Sequence, residues 1–185
     1  MIGLTIGAVA GMAAMSIVNA AADVSWRAKL EQELPLLGHR NWIVIADAAY
    51  PWQTAPGIET VWTGASQTEV VRAVLDTLDK SAHVRPIIYT DAELKAVPEA
   101  TAKGVQTYRD ELARILAGRE VSVMPHEQII SKLDEAGKTF HVLLLKTKMT
   151  IPYTSVFLQL DCNYWSAAAE RALREALKRN ANHAG

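Results

Sequence analysis

Apolar positions along this chain recur at two different spacings, and the switch between them marks out its elements. From Ser25 to Leu34 they fall three to four residues apart: Trp26, Leu30 and Leu34 share one helical face, while Lys29, Glu31 and Gln32 point away from it. Pro35 ends that helix. Asn41 to Ala46 is a short apolar run rich in β-branched residues, the pattern of a strand buried on both faces. Asp47 to Glu59 reads as loop, and Thr60 to Thr63 as a second short strand. Ser66 to Leu78 is the most strongly marked helix, with a Ser66/Glu69 capping box and a stripe of Val70, Val71, Val74 and Leu78.

Further along, Val84 to Tyr89 reads as a buried strand with Pro86 at its start or on an edge, and Ala92 to Val97 as a helical turn. A helix is expected from Pro98 to about Ala117, with Tyr108, Leu112 and Leu116 on its apolar face, stopped by Gly118. A strand over Glu120 to Met124 and a helix over Glu127 to Glu135 follow. Thr139 to Leu145 and Thr154 to Leu160 read as neighbouring strands, and Ser166 to Asn180 as a closing helix. Helices alternate with strands until that last pair. The pattern predicts an α/β fold, a three-layer α/β/α domain over residues 23–185 with a mostly parallel mixed sheet and one antiparallel pair.

Residues 1–22 differ in kind. They carry no charge, the first being Asp23. Val18-Asn19-Ala20-Ala21 offers the small residues of an export cleavage site, though the basic leading segment of such signals is missing. Gly3, Gly7 and Gly11 have the four-residue spacing of packed membrane helices, and the stretch is long enough to span a bilayer. A cleaved signal peptide, a retained anchor and a plain helix all stay open. A signal implies a periplasmic or secreted protein, an anchor a membrane contact, and a plain helix a cytoplasmic one.

Composition narrows the chemistry by exclusion. Half the chain is hydrophobic and the net charge is −1, so bulk electrostatics predict no nucleic-acid partner. One cysteine, Cys162, excludes an intramolecular disulfide and a multi-cysteine metal site, and its place after a strand favours a buried structural thiol. No phosphate-binding glycine loop, nucleophile elbow or His-x-x-x-His pair occurs, so the sequence marks no nucleotide or helical zinc site. What remains is a set of polar groups at strand ends. His39 and Asp47 bracket the first strand, His126 follows the fourth, and Tyr153 and Ser155 share one side of the last by its two-residue period. Imidazole with carboxylate suits proton transfer near neutral pH, and the set as a whole suits an uncharged polyhydroxyl ligand. Trp52, in the loop after the first strand, either stacks on such a ligand or covers the core edge.

Leu37-Gly38-His39 with Asp47 eight residues past the histidine resembles the opening motif of the D-ribose pyranase and L-fucose mutarotase family. His126-Glu127-Gln128 and Pro152-Tyr153-Thr154-Ser155 are similar to that family's later motifs, in the same order, from about Leu36 to Leu160. The resemblance implies a cofactor-free isomerase that interconverts ring forms or anomers of a free monosaccharide. It implies His39 as the acid/base residue, Asp47 as its orienter or as a hold on a sugar hydroxyl, and His126, Tyr153 and Ser155 as substrate-binding. It also implies a ring-shaped homo-oligomer, often a decamer, with sites near subunit contacts. Ser155 stands where the family has asparagine, and Ser122 where the pyranase branch has a basic residue. Lys146 to Thr150 departs from the family's glycine-containing loop, and the helix after Trp165 runs past its usual end. A carbohydrate-binding or sugar-transport accessory protein without catalysis is the alternative on the same scaffold.

Overall fold

Residues 26–183 are described by the structure, a computed structural model. Helix α1 covers 26–33 and runs into a 3₁₀ turn, Leu34–Leu36, where Pro35 takes over. Strand β1 (Trp42–Ala46) and β2 (Ile58–Trp62) precede helix α2 (Gln67–Asp79). Then come β3 (Val84–Asp91), a 3₁₀ turn (Ala92–Ala96), α3 (Val105–Ile115), β4 (Val121–Met124) and α4 (His126–Ala136). Strands β5 (Val142–Lys146) and β6 (Val156–Cys162) lead to α5 (Ala167–His183). The apolar segment 1–22, with its export-signal and anchor readings, lies outside the described residues. Among the described residues no helix is long and apolar enough to cross a membrane.

The six strands form one sheet in the order β2-β5-β1-β6-β3-β4. β1 is buried at all five positions because each face of the sheet is covered. Ile43 and Ile45 point to the side packed by α1, α2 and α3, through Trp26, Leu30, Val71, Leu75 and Leu112. Trp42, Val44 and Ala46 point to the other side, against Ile129 and Leu133 of α4. That is the three-layer α/β/α arrangement, and each fully buried aliphatic side chain in it contributes about 1.5–3 kcal/mol. The α2 cap forms as its sequence predicts, Ser66 accepting from the Glu69 amide at 3.4 Å.

Three features differ from the sequence expectation. β5 and β6 are not neighbours: β5 lies between β2 and β1, parallel to both, while β6 inserts antiparallel between β1 and β3. The sheet thus has two antiparallel pairs, and the loop 147–155 carries the chain past the end of β1. Helix α3 starts at Val105 rather than Pro98 because Glu99 takes the amides of Gly104 (2.6 Å) and Gln106 (3.0 Å), and Gly104 turns the chain at φ 92°. Pro86 stands inside β3 beside Leu160 of β6, but the pairs with β4 begin only at Ile88, so β4 does not reach it.

Candidate functional site

The carboxyl ends of the parallel strands share one edge of the sheet. Because β6 runs antiparallel, with Val156 beside Ile45, its amino end meets the same edge. Asp47 leaves β1 there, Asp91 ends β3, His126 opens α4 just past β4, and Tyr153 and Ser155 lead into β6. Open α/β sheets place their ligands at such an edge. A cavity of about 270 Å³ opens among Asp47, Tyr50, Gln53, His126, Glu127 and Tyr153.

Each of these side chains is held. The Asp47 carboxylate accepts from the Ala49 amide at 2.9 Å, fixing its own turn, and from the Ser155 hydroxyl at 3.4 Å. His126 presents Nδ1 to Asp91 Oδ1 at 3.0 Å, while its backbone amide is capped by the Glu93 carboxylate at 3.1 and 3.0 Å. The Asp91 side chain is wholly buried and its Oδ2 has no partner. Burial pushes its carboxyl up from the ordinary carboxylate range, and the imidazole opposes that push. The Tyr153 ring meets His126 edge-on, centroids 5.5 Å apart. Tyr153 adopts φ 59°, a conformation that a bulky residue takes only at a local cost of about 1–3 kcal/mol. β6 begins at Val156, so it is this left-handed turn, and not strand alternation, that brings Tyr153 and Ser155 to the same site.

Beneath the cavity lies a buried polar network. The Gln67 amide donates to the carbonyls of Ile45 and Thr154, both at 2.9 Å, and accepts from Thr147 Oγ1 at 2.6 Å. Tyr108 donates its hydroxyl to Thr154 as well, and burial drives that phenol far above its ordinary range. The network ties β1 to the chain before β6, so the backbone on both sides of Asp47 and Ser155 is fixed. Asp91, Glu93 and Gln67 were missed in the sequence. Two acids two residues apart, where a strand passes into a helical turn, were the available signal for the first two. Gln67 carried none, since a glutamine in the first turn of a helix is ordinary.

His39 lies elsewhere. It precedes β1, so the five extended residues of that strand alone carry the chain roughly 16 Å away from it before Asp47 is reached. Within one chain the two do not meet. The acid beside His39 is Asp161: Nδ1 sits 2.9 Å from Asp161 Oδ1. A second hollow, about 480 Å³, opens beside His39, Arg85, Asp161, Trp165 and Glu170. Trp52 is 83 % exposed, so it does not cover the core; Tyr50 fills that role instead, buried under the loop with its carbonyl held by Lys146 at 2.6 Å. Cys162 is half-buried rather than buried. Among the described residues one group has a metal-ligand donor set, Glu33, Glu59 and His141. Lys29 already bridges both carboxylates at 2.7 Å, which supplies the cation from within the protein.

A mixed sheet with a small cavity at its carboxyl edge, furnished with imidazole, carboxylate and phenol groups, defines the class of fold and site. The chain belongs to the RbsD / FucU transport protein family, whose sequence model matches residues 26–162. The ordered motifs had pointed to this family, and the helix α5 falls beyond the match. A solved structure agrees in fold, and two others are similar at lower scores. RbsD of Bacillus subtilis, complexed with D-ribose, is 20 % identical, with a TM-score of 0.52 over 72 % of this chain and 91 % of that one. The fucose mutarotase of Streptococcus pneumoniae, in complex with L-fucose, is 18 % identical, with a TM-score of 0.48 over 72 % and 91 %. FucU from Bifidobacterium longum is 14 % identical, with a TM-score of 0.46 over 72 % and 94 %. No curated protein matches the sequence significantly.

Proposed function

We propose that this protein is a monosaccharide mutarotase or pyranase-like isomerase, and that its sugar binds in the cavity at the carboxyl edge of the sheet. The observation that carries this reading is the convergence of Asp47, His126 and Tyr153 on one small cavity, with Ser155 buried behind Asp47 and donating to it. These groups offer many hydrogen bonds and no cluster of fixed cations, which suits a neutral polyol over a phosphorylated or acidic one. Asp47, oriented by the Ser155 hydroxyl, takes a sugar hydroxyl, His126 is steadied by Asp91, and the Tyr153 ring forms a wall.

Ring opening requires a base for the proton of the anomeric hydroxyl and an acid for the ring oxygen. The anomeric C–O bond to the ring oxygen then breaks, the open-chain carbonyl turns about its neighbouring bond, and closure reverses both proton transfers. No co-reactant is consumed. His39 supplies one proton-transfer group. Since His39 and Asp47 sit at opposite ends of β1, the complete site draws His39 from a second copy of the chain, as sites near subunit contacts in a ring would. The separation also favours a second reading, in which a chain that does not assemble binds sugar without catalysing exchange.

Exchange NMR on the purified protein with a panel of free aldoses and ketoses tests the proposal. Accelerated anomer or ring-form exchange for one sugar supports the isomerase and names its substrate. Saturable binding with no acceleration replaces it with the accessory protein. Silence from every neutral sugar overturns both.

A further inference from the structure

Resting on the role proposed for His39, we infer that Asp161, held by Arg85, is the positioning residue that fixes which nitrogen of His39 receives the sugar's proton. Arg85 and Asp161 stand directly opposite each other on β3 and β6. Arg85 places Nε (3.2 Å) and Nη2 (2.8 Å) on Asp161 Oδ2. That fork saturates one carboxylate oxygen and leaves Oδ1 for His39 Nδ1 at 2.9 Å.

The backbone under His39 is fixed with equal care. The Arg40 amide donates to the Leu160 carbonyl at 3.0 Å, and the Leu160 amide to that of Asn41 at 2.8 Å. The Asn41 side chain accepts from the Gly38 amide at 2.7 Å, and Arg40 takes a φ of 76°. His39 is therefore clamped to the end of the strand that carries Asp161.

The chemical consequence concerns the tautomer. A neutral imidazole in water carries its proton mainly on Nε2. An ionised Asp161 accepts only, so it demands Nδ1–H and leaves Nε2 a bare acceptor. Burial disfavours the Asp161 charge, but the Arg85 guanidinium, the Cys162 amide and His39 together hold the carboxyl below its usual range. Nε2 makes no hydrogen bond among the described residues. It can take the anomeric hydroxyl proton as the ring opens, with Asp161 still bonded to Nδ1–H of the resulting imidazolium, and return it on closure. The charged groups facing His39 are Asp161, Arg85 and Glu170 in the hollow of about 480 Å³, and Arg40, Lys132 and Glu135 in a third hollow of about 390 Å³ that His39 also lines.

The test compares Asp161→Ala and Arg85→Ala with the intact protein, reading the His39 tautomer by two-bond ¹H–¹⁵N correlation above its titration range, alongside exchange kinetics. In the intact protein His39 should be the Nδ1–H form. Asp161→Ala should return it to the Nε2–H majority and cut kcat about ten- to a hundredfold with KM within about twofold. Arg85→Ala, which leaves the carboxylate in place, should keep the tautomer. An unchanged tautomer in Asp161→Ala overturns the assignment, as does an unchanged kcat. A wild-type protein that exchanges no sugar sinks the proposed function instead, and the tautomer measurement still decides what Asp161 does to His39.

Discussion

At the scale of single residues the two histidine–carboxylate pairs differ in a way that pH can read. Asp161 is partly buried and salt-bridged; Asp91 is sealed, with one oxygen unpaired. A carboxyl whose folded value is raised contributes its full stability below the ordinary value near 3.8, and that contribution declines as pH climbs through the folded value. At neutral pH the charged Asp91 is therefore a burden the fold carries for the sake of His126. Asp91→Asn, which can still accept from Nδ1–H, should match the wild type in thermal melts near pH 4 and gain on it steadily toward pH 8. Parallel melting curves across that range would refute this. The same variant should bind sugar more weakly, since a neutral amide holds the His126 ring less firmly than a carboxylate does. His39 poses the opposite case: it is 59 % exposed in its side chain, so His39→Ala should leave Tm within about 2 °C while abolishing exchange. A fully active His39→Ala protein would remove it from the chemistry.

Among the elements, the approach of β2 to the end of α4 sets the tightest constraint. Gly57 donates to the Gly137 carbonyl at 3.1 Å and accepts from Val142 at 2.8 Å. A Cβ at Gly57 would sit 2.4 Å from the Phe140 carbonyl oxygen and 2.5 Å from that of Gly137, both backbone. Gly57→Ala should destabilise by about 1–3 kcal/mol, visible as a Tm loss of about 2–4 °C per kcal/mol, without a change in the substrate preferred. A neutral result would mean that the β2–β5 edge yields freely. This constraint could not be read from the sequence, where Ala55-Pro56-Gly57 is an ordinary loop. The elements that were legible are those with a strong period of their own: the apolar stripe of α2, the uninterrupted run of β1, the capping pair Ser66 and Glu69. The partner of each strand was not, because β1, β5 and the first half of β6 are all apolar runs and their periodicity does not say which lies beside which. Asp47, His126, Tyr153 and Ser155 were legible as a set because the sheet edge collects strand ends. The partners of the histidines were not, since Asp161 lies 122 residues from His39 and Asp91 lies 35 from His126.

For the whole molecule, the separation of His39 from Asp47 makes a shared site testable without any structure of the assembly. His39→Ala and Asp47→Asn should each be inactive alone. The asparagine keeps the acceptor that fixes the Ala49 turn, so the second variant should stay folded. Co-refolded in equal amounts, the two should regain activity at about a quarter of the sites, those that by chance pair an intact His39 with an intact Asp47. No recovery, in a preparation shown by light scattering to be mixed oligomers, would place all of the chemistry within one chain.

The position of β6 has a consequence for how the protein is made. It is the last of the six strands in chain order, yet it occupies the middle of the sheet, with β2, β5 and β1 on one side and β3 and β4 on the other. Nothing else in the sheet joins those two halves. A nascent chain emerging from the ribosome can pair β3 with β4, and later β1 with β2 and β5, but the halves stay apart, each with an open inner edge, until residues 156–162 arrive to zip both. The cell must shelter two sticky seams from the time β5 emerges until β6 follows it, and a message cut short before Val156 encodes a substrate for chaperones and proteases.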